Sequence, residues 1–143
     1  MSDPSTTFAP DRKKPMNGAL PTNDLKKLLA QAEADGLTLN DLAATYEQYR
    51  MAPQEVLNEL SIAVAKGYLD GTLTYEFCDG VMNGIIAALV DVGMNREMPE
   101  PAFSLYQAFD QGGWIRSNDP PGTDPSEKYA KPLVLQIISD FIG

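Results

Sequence analysis

The feature that most constrains the fold is an apolar run between residues 77 and 90 whose members recur three and four positions apart. The run consists of Phe77, Cys78, Val81, Met82, Ile85, Ile86, Leu89 and Val90. This spacing places all of them on one side of an α-helix. Thr74 is a suitable N-cap and Gly93 a suitable stop. We therefore expect the longest apolar helix here, at the centre of the core.

The same spacing recurs in weaker form along the rest of the chain and predicts five further helices. Their expected bounds are Asn23 to Asp35 with Gly36 as the stop, Thr38 or Asn40 to a stop at 49–52, Pro53 to Gly67 or Gly71, Pro101 to Gly112, and Asp124 to Ile142. Pro132 must kink or restart the last helix. Residues 134–138 also fit a short strand, but the cap before them favours a helix.

No segment alternates with a period of two, so the predicted fold is all-α: a single-domain bundle of about six helices over residues 22–143. Residues 1–21 contain four prolines among small polar residues and predict a flexible N-terminal tail. The chain has no histidine and one cysteine, Cys78. This composition removes the commonest general base, histidine metal ligands and paired-thiol chemistry. We therefore predict no enzymatic activity, no catalytic residues, no metal and no cofactor.

The charge distribution restricts the partners that this chain can bind. The tail carries two acidic and three basic residues, which leaves 18 acidic and 8 basic residues for the body. An acidic body repels phosphate backbones and anionic lipid, so nucleic acid and membrane surfaces are excluded as partners. The charge either maintains solubility or attracts a basic protein. The strongly apolar stretch 84–90 is shorter than the roughly 20 residues of a membrane span, and we predict a cytoplasmic protein.

Residues in and near the long loop 112–124 are the candidates for partner binding. Trp114 follows two glycines and is close in sequence to Arg116. Tryptophan and arginine are frequent anchors of protein interfaces, and we add Asp110 and Asp119 as acidic contacts. The indole either packs onto the core or contacts a partner, and the scarcity of isolated exposed indoles favours packing.

Two alternatives stay open at this point. The first is a small-ligand-binding protein or an enzyme with a carboxylate-lined pocket, in which Tyr75, Phe77, Phe103 and Tyr106 line a closed cavity together with Trp114. The second is a homodimer in which the last apolar strip is exchanged or buried between subunits. Cys78 lies on the apolar side of the central helix, and we expect it to be buried and unreactive.

Two short motifs resemble known bacterial proteins. Residues 66–77 form a helix end, a glycine turn and a capped helix, and they resemble a junction in helical immunity proteins that neutralise tRNA-cleaving nuclease colicins. Residues 108–112, with 124–129 and Pro132, resemble bacterial proteins without an assigned activity. The first resemblance implies an acidic bundle that occupies the cationic active site of a toxin. The proline-rich tail and the loop around Trp114 depart from that group.

Together these observations predict a non-enzymatic acidic domain that binds another protein. A partner with a basic surface is one form of this prediction. The site residues of this hypothesis lie in and beside the loop, and those of the alternative lie on the helices.

Overall fold

The computed structural model describes residues 20–142, and these form six α-helices and one turn of π-helix. The elements in chain order are α1 (Thr22–Asp35), α2 (Leu39–Tyr49), α3 (Pro53–Asp70), α4 (Tyr75–Asn95), α5 (Ala102–Gln111), the π turn (Ser126–Ala130) and α6 (Lys131–Ile142). No strand occurs in this part of the chain. The all-α prediction is confirmed, as is the helical interpretation of residues 134–138.

The fold includes the last residues of the predicted tail. Residues up to 19 lie outside the described part of the chain. Leu20, which the pattern assigned to the tail, is 3% exposed, and its backbone N–H donates to Oε1 of Glu59 at 3.1 Å. The start of the fold is therefore anchored to α3.

Helix α4 is the central helix of the bundle, as its apolar spacing predicts. Its buried residues are Cys78, Val81, Met82, Ile85, Ala88, Leu89 and Val92. It packs against α1, α3 and α5. With 21 residues and a mean hydropathy of 1.5, α4 meets the length and composition of a membrane span. Because its buried side contacts three other helices, we describe it as the core helix of the bundle.

Local capping explains where several helices begin. The Thr38 hydroxyl accepts from the Asp41 N–H at 3.1 Å, and the Asp41 carboxylate accepts from the Thr38 N–H at 2.9 Å. Thr74 caps α4 by accepting from the Phe77 N–H at 3.1 Å. Helix α3 ends before Gly71, which adopts the left-handed conformation with φ of +85°. These caps satisfy backbone groups that helix ends leave free.

Two predicted boundaries are wrong. Helix α1 begins at Thr22 after Pro21, without the predicted cap from Asn23. Helix α4 continues through Gly93 to Asn95, and the Arg96 N–H still donates to the Val92 carbonyl at 2.9 Å. A glycine inside a helix weakens it by about 1 kcal/mol but removes no hydrogen bond, so tertiary packing maintains the helix there.

A close backbone crossing joins α1 to α4. The Leu37 N–H donates to the Gly84 carbonyl at 2.8 Å, and a Cβ atom on Gly84 would lie only 1.9 Å from the Ala32 carbonyl oxygen. Gly84 permits this approach because it has no side chain. This crossing fixes the end of α1 against the middle of α4.

The thiol of Cys78 is fully buried within the core. Its Sγ lies 3.6 Å from the Val64 carbonyl oxygen, to which the thiol donates. Burial raises the pKa of Cys78 to about 12, so the thiol stays protonated at neutral pH. The expectation of a buried cysteine is confirmed, and its low reactivity stays a prediction.

The π turn resolves the problem that Pro132 poses to the last helix. Proline lacks an N–H and cannot continue the ordinary helical ladder. In the π turn the Lys131 N–H donates to the Ser126 carbonyl, one residue further back than in an α-helix, and α6 then begins. The predicted restart is confirmed.

Helix α6 presents apolar side chains to solvent as well as to the core. Val134 is fully buried, whereas Leu133, Leu135 and Phe141 are 44%, 57% and 51% exposed. The homodimer through this strip stays a prediction, since nothing in the structure shows what covers it.

Candidate protein-binding groove

An open groove of about 900 Å³ runs between the α3–α4 junction, the loop after α5 and the π turn. We call it the acidic groove. Its walls come from parts of the chain that are far apart in sequence. It lies at the end of the bundle where α3 stops, α4 starts and the chain leaves α5.

Tyr68 and Tyr75 line the acidic groove and pack against the buried ring of Phe109, and we call these three rings the aromatic floor. The rings of Tyr68 and Phe109 pack edge to face with centroids 5.3 Å apart, and the Tyr75 ring lies 6.1 Å from that of Phe109. The Tyr68 hydroxyl donates to the Ser126 carbonyl at 3.2 Å, and the Tyr75 hydroxyl donates to the Phe109 carbonyl. Burial raises the pKa of both tyrosines, so both hydroxyls remain donors at neutral pH. These two bonds tie the helix junction to the π turn and to α5.

Gly112 allows the walls of the groove to come together. A Cβ atom at this position would lie 2.8 Å from Cβ of Ala130, 2.9 Å from Cα of Ser126 and 3.1 Å from Cε1 of Tyr75. These distances leave no room for a side chain. The glycine that ends α5 therefore also sets the spacing between the loop, the π turn and the floor.

Carboxylates outnumber cations in the lining of the groove. Four acidic residues, Glu76, Asp79, Asp124 and Glu127, line it together with one cation, Lys131. The Lys131 ammonium lies 3.3 Å from the Glu127 carboxylate and 5.9 Å from the centroid of Tyr68. The lining thus carries a net negative charge and already holds one ammonium group over an aromatic ring.

The negative charge around the groove affects the protonation of Asp79. Partial burial raises the pKa of its carboxyl, and the negative charge of Asp110 on α5 raises it further. Asp110 is exposed beside the groove. A positive charge placed between α4 and α5 would relieve the repulsion that Asp79 experiences.

Trp114 forms the outer wall and is the residue whose placement differs most from expectation. The side chain is 52% exposed instead of packed onto the core. The Arg116 guanidinium covers it, 3.7 Å from the Trp114 ring centroid and 3.5 Å from that of Tyr129. Arg116 also donates to the Gln111 backbone carbonyl and side-chain oxygen, at 2.9 and 3.0 Å. The indole is therefore held by a stacked cation instead of by burial.

Asp119 lies outside the groove lining and anchors the loop. Its carboxylate accepts from the Lys128 ammonium at 2.6 Å and from the Tyr129 hydroxyl at 2.6 Å. These hydrogen bonds, the one from Lys128 first, lower the pKa of Asp119. Of the four predicted partner-binding residues, Trp114 lines the groove, Asp110 borders it, and Arg116 and Asp119 position the loop.

The Arg116 stack predicts a measurable change in the loop. Replacing Arg116 with alanine removes both ring contacts and the bonds to Gln111, and we expect the protein to lose about 1 kcal/mol or less of stability. The emission of Trp114, the chain's one tryptophan, should shift to the red and its anisotropy should fall. The exposed Arg96→Ala variant is the matched control, and an unchanged spectrum of the Arg116 variant would contradict the stack.

The alternative ligand pocket predicted from sequence does not assemble. Only Tyr75 and Trp114 of its members line the acidic groove. Phe103 and Tyr106 stack on each other along α5, with centroids 6.3 Å apart. Phe77 follows Tyr75 by two residues, which turns it to a different side of α4. The groove is also open, whereas the hypothesis required a closed cavity.

The sequence interpretation missed Tyr68, Asp79 and Glu127 as site residues. Their positions have local explanations: Glu76 and Asp79 lie early in a helix, where the helix dipole favours acids, and Asp124 with Glu127 fits the capping-box pattern. Asp124 does cap, accepting from the Ser126 N–H at 3.0 Å, but Glu127 pairs with Lys131 instead. No signal along the chain shows that these two helix starts face one groove. Within residues 20–142, no three acidic or cysteine side chains converge to hold a metal ion.

Comparisons with protein-family models, with curated proteins and with solved structures return no match for this chain.

Proposed function

We propose that this protein is a non-enzymatic binding module that engages the basic surface of another protein through the acidic groove. The observation that carries the proposal is the combination of an aromatic floor with four lining carboxylates in one open groove. Such a groove offers contacts to the long stems of lysine and arginine and to their charged ends.

Charge supports a protein partner that is basic. The body of the chain has an excess of ten acidic residues, and the groove concentrates part of that excess next to low-dielectric walls. Complementary charge accelerates association and makes binding sensitive to salt. An open groove fits side chains that project from a larger surface better than it fits a small molecule, which needs enclosure.

The aromatic residues support arginine as a preferred contact. Guanidinium groups stack on aromatic faces, and the structure holds one such group, that of Arg116, between Trp114 and Tyr129. Trp114 keeps about half of its surface exposed at the edge of the groove. An exposed indole with a fixed orientation is a typical interface anchor.

The two segments that resemble bacterial proteins both contribute to the groove. Tyr68 and Tyr75 lie in the first segment, and Gly112, Ser126 and Glu127 lie in the second. An immunity-like role, in which the groove covers the cationic site of a toxin, is the form of the proposal that this resemblance favours. A cytoplasmic, bacterial setting belongs to the same proposal.

Binding of an oligoarginine peptide, followed by the fluorescence of Trp114, tests the proposal. The wild-type protein should bind the peptide, and the double variant Glu76→Gln/Glu127→Gln should bind about three- to tenfold more weakly because two groove carboxylates are lost. Raising NaCl from about 50 to about 300 mM should weaken wild-type binding, because it shortens the Debye length.

The matched control is Glu47→Gln/Glu97→Gln, which removes the same charge from exposed positions outside the groove. It should change the affinity by about twofold at most, since distant charges are screened. Equal weakening by both double variants would show that net charge alone, and not the groove, attracts the peptide. Binding that ignores salt would contradict the electrostatic basis of the proposal.

A second candidate, a small-ligand-binding protein or enzyme that uses a groove carboxylate, is favoured by one observation. The pKa of Asp79 is raised by burial and by Asp110, as in many functional carboxylates. Acetyl-arginine amide separates the candidates. Binding of this small molecule as tightly as the peptide would favour the second candidate, whereas much weaker binding favours a protein partner.

A further inference from the structure

We infer that the chain's own basic segment, Arg12, Lys13 and Lys14, docks in the acidic groove when no partner is bound and competes with that partner. This inference rests on the proposed function of the groove and adds a means of regulating it. Both the charge of this segment and its distance along the chain from the groove fit such a contact.

Charge complementarity is the first observation. The segment holds three consecutive cations, the densest positive cluster in the chain, next to a single acidic neighbour, Asp11. The groove lining holds four carboxylates against Lys131. Because residues 22–143 carry more than twice as many acidic as basic residues, this segment is the chain's most suitable source of cations for the groove.

Reach is the second observation. Leu20 is anchored to Glu59, in the first half of α3, by a bond of 3.1 Å. Tyr68, on the groove floor, follows Glu59 by nine residues along the same helix, which places it about 14 Å further along the axis and on the opposite side of the helix. Because a helix is about 10 Å wide, the groove floor lies roughly 17 Å or more from Leu20. The chain from Leu20 spans up to about 20 Å back to Lys14 and about 27 Å back to Arg12 when extended. The basic segment can therefore reach the groove of its own molecule.

Attachment makes such a weak contact effective. A tethered segment has an effective concentration of the order of millimolar, so an intrinsically weak charge interaction still occupies the groove part of the time. A partner must displace the segment, and its apparent affinity falls by the occupied fraction.

The experiment compares two full-length variants that lose the same charge. The first, Arg12→Gln/Lys13→Gln/Lys14→Gln, keeps the segment but removes its three positive charges. Lys26→Gln/Lys27→Gln/Arg96→Gln removes one arginine and two lysines from exposed positions outside the groove. At low salt the first variant should bind oligoarginine about threefold or more tightly than wild type, and the control by about twofold at most. Equal affinity of the two variants overturns the inference.

A second arm tests the contact directly. A synthetic peptide of residues 8–19 is added to the variant in which Arg12, Lys13 and Lys14 are glutamine, and its binding should change Trp114 fluorescence. Adding Glu76→Gln/Glu127→Gln to that variant should weaken binding of the peptide about threefold or more. Absent binding, or binding that ignores Glu76 and Glu127, overturns the inference. Failure of oligoarginine to bind even wild type contradicts the proposed function, whereas equal binding by the two charge-matched variants contradicts this inference alone.

Discussion

Replacing Gly84 with alanine is expected to destabilise the protein by about 3 kcal/mol. The added Cβ would lie 1.9 Å from the Ala32 carbonyl oxygen and 2.7 Å from its carbon, both backbone atoms that no rotamer change can move. The helices must separate, which also breaks the bond of 2.8 Å from the Leu37 N–H to the Gly84 carbonyl. Urea unfolding followed by circular dichroism measures the loss, and the melting temperature should fall by roughly 10 °C.

Gly80→Ala is the control for this effect, because Gly80 lies one turn earlier on the same helix. There the new Cβ would meet the Cγ atom of Glu33 at 3.0 Å, a flexible side chain that can move away. Alanine also favours the helix over glycine by about 1 kcal/mol, so Gly80→Ala should be neutral or slightly stabilising. If the two variants had equal stability, the close crossing of α1 and α4 would be contradicted.

Replacing Phe109 with alanine is expected to cost about 3 to 5 kcal/mol. Its ring is fully buried and packs against Tyr68 and Tyr75, so truncation leaves a cavity directly beneath the acidic groove. The two tyrosines lose the surface that orients them, and oligoarginine binding should weaken as well. Denaturant unfolding and the fluorescence titration test the two effects separately.

Phe103→Ala provides the comparison on the same helix. Phe103 is half-buried and stacks on Tyr106 outside the groove, so its removal should cost about 1 kcal/mol and leave peptide binding unchanged. Phe109→Leu, which keeps most of the volume, should retain more of the stability than Phe109→Ala. A cost at Phe109 no larger than at Phe103 would contradict the supporting role of the aromatic floor.

The acidic groove shows how far a site can be predicted from one sequence. Trp114 and Asp110 were singled out by residue type and local setting, and both lie at the groove. Tyr68 and Glu127 were not singled out, because each has a sufficient local explanation. Tyr68 fits a core aromatic residue, and Glu127 fits a capping pattern. Their shared position depends on how α3, the π turn and α6 pack together, which no short-range signal encodes.

The loop around Trp114 illustrates the same limit in detail. The general rule that indoles are buried predicted packing onto the core. In the structure the indole instead stacks on the Arg116 guanidinium, which lies between the rings of Trp114 and Tyr129. That arrangement needs the loop to turn back over the π turn, and Asp119 secures it through Lys128 and Tyr129.

The sequence by itself determined the helical class, most caps, the acidic surface and the burial of Cys78. These properties follow from hydrogen bonds and apolar spacing within a few turns of chain, or from composition. The tertiary structure alone decided the crossing at Gly84, the convergence of four carboxylates over an aromatic floor, and the exposure of Trp114. Each of these depends on distances between segments far apart in the chain, and such distances are set only when the helices pack.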